Sequence, residues 1–239
     1  MAKSRKKSPP PSPPPKRASE AIAALVALRN PDHARFATHF FHGGDFLGIR
    51  VPAVRRIAAE FRSLSLDNIE KLLASKWHEA RLLAVVIMSR QYARGDDAKR
   101  AALYRMYLDN TDRIDNWDLV DVSAPHVIGA HLRDRSRKIL TKLAKSKSIW
   151  ERRIAILATH HFIRNGEVGE TLRIAKMLVR DEHDLIHKAV GWMLREAGKR
   201  DRAALESFLE EHAATMPRTM LRYAIEKFSP AERQRYLLV

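Results

Sequence analysis

Glu79-Ala80-Arg81-Leu82-Leu83-Ala84-Val85 opens an apolar run with a charged residue near its head. The same device recurs down the chain. Trp117 follows Arg81 by 36 residues, Arg153 follows by another 36, Lys188 by 35 and Arg222 by 34. Apolar helical runs accompany these positions, among them Ile154-Ala155-Ile156-Leu157, Ala189-Val190-Gly191-Trp192 and Tyr223-Ala224-Ile225. Between them lie further helical segments, at about 67–75, 98–108, 135–145, 169–180 and 202–213. Two helices per 34–36 residues is the pattern of an α-solenoid, slightly short for a HEAT repeat. The expected fold is all-α, with five or six HEAT-like antiparallel helix pairs in a right-handed curve.

Toward the N-terminus the spacing stays helical. Ser19 is placed to cap a helix containing Ile22, Leu25 and Leu28, which Asn30-Pro31 should end. A second helix is expected to run to about Phe41. His42-Gly43-Gly44-Asp45 reads as a turn, and Pro52 should stand in the first turn of the next helix. No convincing period-2 strand is present. Residues 1–17 differ from all this. They hold Lys3, Arg5, Lys6, Lys7, Lys16 and Arg17, no acid, and six of the eleven prolines. Such a segment buries too little apolar surface to offset its ordering entropy, so a disordered tail is expected there. It would serve as an electrostatic tether or as a solvated tail of no specific role. The folded domain is expected over 18–239.

With 239 residues, 45% of them hydrophobic, the chain can bury a full core. Lys and Arg number 44 against 28 Asp and Glu, a formal charge of +16. That balance argues for a polyanionic partner, nucleic acid before anionic membrane. Cysteine is absent, which excludes disulfides and thiolate ligands. No apolar run reaches the roughly 20 residues of a membrane span, and no secretion signal is recognisable. A cytoplasmic, nucleoid-associated protein is the expectation.

In a solenoid, equivalent residues line up along one surface. Arg81, Arg153, Lys188 and Arg222 would then form a basic row on a concave face, able to follow a phosphate backbone. A second reading is a ladder between neighbouring inner helices, pairing Asp121 with Arg153 for stability alone. Within Asn116-Trp117-Asp118-Leu119-Val120-Asp121, Trp117 and Asp121 lie four apart and share a helix face. A carboxylate beside a large aromatic is a strange feature on a surface built for polyanions. Trp77 and Trp150 precede inner helices and read as repeat-packing residues. Trp192 stands four residues after Lys188, where a core role is the plainer alternative to a site. His160-His161 and His183 with His187 have the types for metal ligation, but no acid-rich cluster accompanies them. No metal and no cofactor is expected, and no glycine-rich phosphate loop is present.

Four stretches together resemble the AlkD family of HEAT-like-repeat DNA glycosylases of alkylation repair. They are Phe46-Leu47-Gly48-Ile49-Arg50-Val51-Pro52-Ala53-Val54-Arg55-Arg56, Asn116 to Asp121, Ile149 to Leu157, and Ile186 to Glu196. The resemblance covers about residues 20–228. It implies a glycosylase for cationic N3- and N7-alkylated purines, held within duplex DNA rather than flipped out. It makes Asp121 the catalytic carboxylate, Trp117 and Trp192 aromatic walls, and Arg153 a backbone contact. Arg81, Lys188, Arg195, Arg222 and Phe36 complete the expected DNA-contacting set. Phe36 stands where family members can carry tyrosine, so a hydroxyl contact would be lost. The partner is duplex DNA with alkylated purines, with no membrane and no metal, and a monomer is expected. The alternative is a non-catalytic HEAT-like scaffold binding nucleic acid or protein.

Overall fold

A computed structural model describes residues 16–41 and 43–238. The helices are α1 (Ala18–Val26), α2 (Pro31–Ala37), α3 (Val51–Glu60), α4 (Leu66–Leu73), α5 (His78–Arg94), α6 (Asp97–Asp109) and α7 (Trp117–Asp121). After a π-helical turn at Pro125–Gly129 come α8 (Lys138–Ala144), α9 (Ile149–Ala158), α10 (His160–Arg164), α11 (Gly169–Leu178) and α12 (Asp184–Gly198). The chain closes with α13 (Arg202–His212), α14 (Arg218–Ala224) and α15 (Pro230–Leu237). Among the described residues the only β-type pairing is an isolated bridge between Asp45 and Trp77. No described helix is long and apolar enough to cross a membrane.

The inner helices are those the period picked out. In succession α5 packs on α7, α7 on α9, α9 on α12, and α12 on α14. Outer helices α4, α8, α11 and α13 back them, as the intervening segments required. Each pair buries the apolar stripes of its neighbours, and one continuous core runs from Ala18 to Tyr236. Close approach is set by small residues. A Cβ on Gly191 would stand 2.4 Å from the Met220 carbonyl of α14, so α12 and α14 touch backbone to side.

Some expected boundaries move. Ser19 lies inside α1; the helix is capped two residues earlier, where the Glu20 carboxylate accepts the Arg17 N–H at 2.8 Å. Asn30-Pro31 ends nothing. The Asn30 side chain accepts the N–H groups of Asp32 and His33 and starts α2, which stops at Ala37 rather than Phe41. Pro52 does sit in the first turn of α3. The expected tail lies mostly outside the described residues, as does His42 of the expected turn. Lys16 and Arg17, assigned to that tail, are engaged with the fold: the Lys16 ammonium donates to the Glu60 carbonyl and lies over the Phe61 ring.

The second inner helix is broken. Pro125 has no N–H for the carbonyl of Asp121, so α7 ends after five residues and the chain widens into the π-turn. Ser123 takes up the loose end, donating to the Leu119 carbonyl at 2.5 Å beneath the buried Tyr107 hydroxyl. Burial pushes that phenol up from its ordinary pKa.

Candidate active site

The first turn of α5 is where the fold becomes chemistry. Residues 78–88 are all buried, yet His78, Glu79 and Arg81 are polar. Buried polar groups need partners, and each finds one across the fold. Glu79 accepts the N–H groups of Leu47, Gly48 and Ile49 at 2.9, 2.7 and 3.1 Å, clamping the loop before α3. Gly48 holds φ +79°, and a Cβ there would lie 2.1 Å from the Asn30 carbonyl. The loop is therefore pinned from both sides. His78 Nε2 meets Asp118 at 2.8 Å, and Arg81 pairs with Asp115 at 3.1 Å while capping the carbonyls of Ser75 and Lys76.

Asn116 caps α7, and Asp121 and Trp117 project from it one turn apart. Arg153 grips Asp121 through two parallel bonds of 2.8 Å, and its third donor meets the Leu185 carbonyl at 2.5 Å. The Asp121 side chain keeps 16% of its surface exposed. Burial pushes its pKa above the ordinary carboxylate value, Arg153 draws it back down, and Asp118 adds a further upward push. Trp117 stacks parallel on Phe41 with centroids 5.3 Å apart, and its indole N–H points at the Phe40 carbonyl, 3.4 Å away.

Measured from the N-caps, the inner helices align differently from the sequence period. Asp121, Arg153, Lys188 and Arg222 each stand five residues past their caps Asn116, Ser148, His183 and Pro217. Arg81 stands four past Trp77. Its counterpart is Arg152, which likewise caps Ser146 and Lys147 and pairs with Asp181 at 2.6 Å. So Asp121, not Trp117, occupies the row, and the row does not present four free cations. Arg81 and Arg153 are buried and internally bonded. Lys188 pairs with Asp184 at 2.6 Å, and Arg195 with Glu226 and Glu196. Arg222 is exposed.

Trp192 is half-buried on α12, 5.9 Å from the His160 ring, whose pKa burial lowers. Trp77 and Trp150 pack against the core. Trp150 lies within α9 rather than ahead of it. His183 accepts the Leu185 N–H as the cap of α12, and His187 meets the Asp181 carbonyl. Among the described residues no three His, Asp or Glu side chains converge as metal ligands.

A cavity of about 430 Å³ adjoins Trp117. Phe36, Phe40, Phe41 and Phe46 line it, together with polar residues that include His78, Arg50, Glu79 and Asp118. Only Phe36 and Trp117 of these were singled out in the sequence. A larger cavity of about 620 Å³ lies toward the far ends of α5 and the π-turn, lined by Arg100, Arg133 and Arg135. None of Trp117, Asp121 and Trp192 reaches it.

Comparison with known proteins follows the same line. Residues 21–228 match the family model described as DNA alkylation repair enzyme. A solved structure described as a predicted DNA alkylation repair enzyme from Enterococcus faecalis is similar in fold. It shares 16% identity at a TM-score of 0.66, over 84% of this chain and 97% of that one. No match was found among curated proteins.

Proposed function

The chain belongs to the DNA alkylation repair enzyme family, and on that premise we propose that it is a DNA glycosylase. Its substrate is a purine alkylated at N3 or N7 in duplex DNA, and its reaction is hydrolysis of the N-glycosidic bond. The observation that carries this reading is an acid, Asp121, still partly exposed and one helical turn from an indole, on a protein of charge +16.

Alkylation at N3 or N7 gives the base a positive charge. When C1′–N9 breaks, the bonding pair goes to the base, which leaves neutral and needs little general-acid help. Positive charge builds on the sugar instead, toward an oxocarbenium ion. Ionised Asp121 stabilises that charge. Water then bonds to C1′ and its proton passes to the Asp121 carboxylate, leaving a hydroxylated abasic sugar. An indole face favours a cationic base by about 0.5–2 kcal/mol through cation–π attraction. In this scheme Arg153 fixes the carboxylate's orientation and supports its ionised form. Exposed cations such as Arg222 meet the phosphates. Neither metal nor cofactor is required by this chemistry.

The Asp121–Arg153 pair also favours the second reading, a scaffold in which the pair is a ladder rung. Asp121→Asn separates the two. Removing the charge should slow single-turnover release of 7-methylguanine by about two orders of magnitude or more, the scale of electrostatic transition-state contributions. Duplex binding should be kept. An Asn variant that melts early yet releases base at the parental rate per folded molecule leaves only the ladder.

A further inference from the structure

At the Asp121 end of the inner helices the cations are neutralised: Arg81 pairs with Asp115, Arg153 with Asp121 and Lys188 with Asp184. The other end of α5 is different. There a cleft of about 440 Å³ lies between the end of α5, the α3–α4 connection and the first turn of α6. Arg62, Arg90, Arg94 and Lys99 line it. Among the described residues no carboxylate lines it, and none of the four cations has an ion-pair partner. Arg62 and Arg90 donate only to backbone carbonyls, those of Ala59 and Arg55. Arg62 and Arg94 are exposed, Arg90 and Lys99 half-buried. The cleft has a fixed floor, because Gln91 Nε2 donates to the Arg62 and Leu64 carbonyls at 2.9 and 2.8 Å. Gln91 Oε1 is buried, out of reach of a ligand. Ser63 and Ser65 complete the polar lining. Ser65 Oγ accepts from Asn68, which leaves its own proton to donate. Beyond Lys99 the basic strip continues through Arg100 to Arg133 and Arg135, where Asp97 and Asp134 weaken it.

Four unpaired like charges in one cleft repel, and an anion among them relieves that repulsion. No aromatic side chain lines the cleft, so a free nucleotide would find nothing to stack on. A nucleic-acid backbone asks only for cations and hydroxyls, and both are present. The position along the helix sets the register. From Arg81, at the Asp121 end, to Arg94 is thirteen residues of α5, roughly 20 Å at about 1.5 Å each. One strand of a duplex carries a phosphate about every 3.4 Å, so that length is about six base pairs. We propose that the cleft is a second anchorage for duplex DNA, which lies along the inner helices and sets its flanking phosphates here, about six base pairs from the target nucleotide. This rests on the proposed function for its partner and for the target's place at Asp121. Arg62, Arg94 and Lys99 meet the phosphates, and Gln91 is the positioning residue that holds the Arg62 segment against α5.

Two measurements on the full chain test it. The first is anisotropy of an unmodified duplex of about 20 base pairs across a salt titration, beside a thermal melt. Arg94→Gln with Lys99→Gln should lower the slope of log K against log salt by about two and weaken binding about tenfold at moderate salt. Lys142→Gln with Lys145→Gln removes the same charge from exposed positions on the outer helix α8 and should leave the slope as it was. If the first pair does not fold, the exposed Arg62→Gln decides, with a fall of about one. An unchanged slope in the folded variant, or an equal fall in the α8 control, overturns the proposal. The second measurement is subsaturating release of 7-methylguanine from duplexes whose arm on one side or the other is cut from about ten base pairs to about three. In the parent, trimming one arm and not the other should slow release about tenfold. In Arg94→Gln with Lys99→Gln that trimming should cost nothing further. An equal penalty in parent and variant overturns the flank assignment. If the parent releases no base at all, the glycosylase reading fails, and the salt slopes on unmodified duplex decide the cleft alone.

Discussion

Trp117 and Trp192 sit on two inner helices of one solenoid, in surroundings built by opposite means. Around Trp117 the repeat is broken: α7 stops after five residues, the loop before α3 folds over on Gly48, and three segments far apart in sequence close a cavity. Around Trp192 the repeat is regular. Its helix runs unbroken for 15 residues, and the preceding Gly191 only brings α14 close. Regular repeats supply rigidity and a continuous core, and the place where the pattern lapses is the place with polar groups to spare. Trp117 is therefore the aromatic with a chemical part in this account, and Trp192 is chiefly a packing residue with one face available.

That contrast can be broken at the glycines first. Gly48→Ala forces a strained φ and a clash with backbone, while Gly191→Ala strains only the contact between α12 and α14. Both should melt lower, by about 2–4 °C for each kcal/mol lost in a chain of this size. Only Gly48→Ala should also lower base release per folded molecule, because it frees the loop that walls the cavity. Equal loss of activity in both would erase the distinction between the two regions. Next come the tryptophans themselves. Trp117→Ala should slow release about tenfold, the scale of one lost cation–π and stacking contact. Trp192→Ala should slow it less than threefold, and the reverse order would move the site to α12. The smallest effect belongs to the exposed cation. Arg222→Ala should lower the slope of log K against log salt by about one phosphate contact, measured by anisotropy across a salt titration. An unchanged slope removes Arg222 from the interface.

Much of the fold was legible because apolar stripes repeat wherever helices pair. The outer segments expected at about 98–108 and 202–213 match α6 and α13 to within a residue or two. The register was not legible to the same degree. Counting from apolar runs slid by one residue, aligning Arg81 with Arg153 instead of Arg152, because the caps and not the apolar runs set where each helix starts. Asp121 could be found as an acid out of place on a basic protein, and its partner Arg153 followed from the ladder reading. The cavity could not, since Phe41, Phe46, His78 and Trp117 meet only through tertiary folding. One sign was available: His78, Glu79 and Arg81 crowd the head of an otherwise apolar helix, and three buried polar residues demand partners from elsewhere. Pro125 was a second, marking the break that frees α7 from the regular pattern.

The central claim is that ionised Asp121 does the chemistry, and its titration tests this most directly. Burial raises its folded pKa above the ordinary 3.8, with Arg153 opposing. Protonation removes the charge that stabilises the sugar cation, so activity should be present above that raised pKa and lost as pH falls through it. The measurement is a pH profile of single-turnover 7-methylguanine release for the parent, Asp121→Asn and Arg153→Gln. The account predicts an acid limb with its midpoint above 3.8, absent in Asp121→Asn and shifted to higher pH in Arg153→Gln, where the opposing guanidinium is gone. A profile that keeps the parental limb in Asp121→Asn would contradict it.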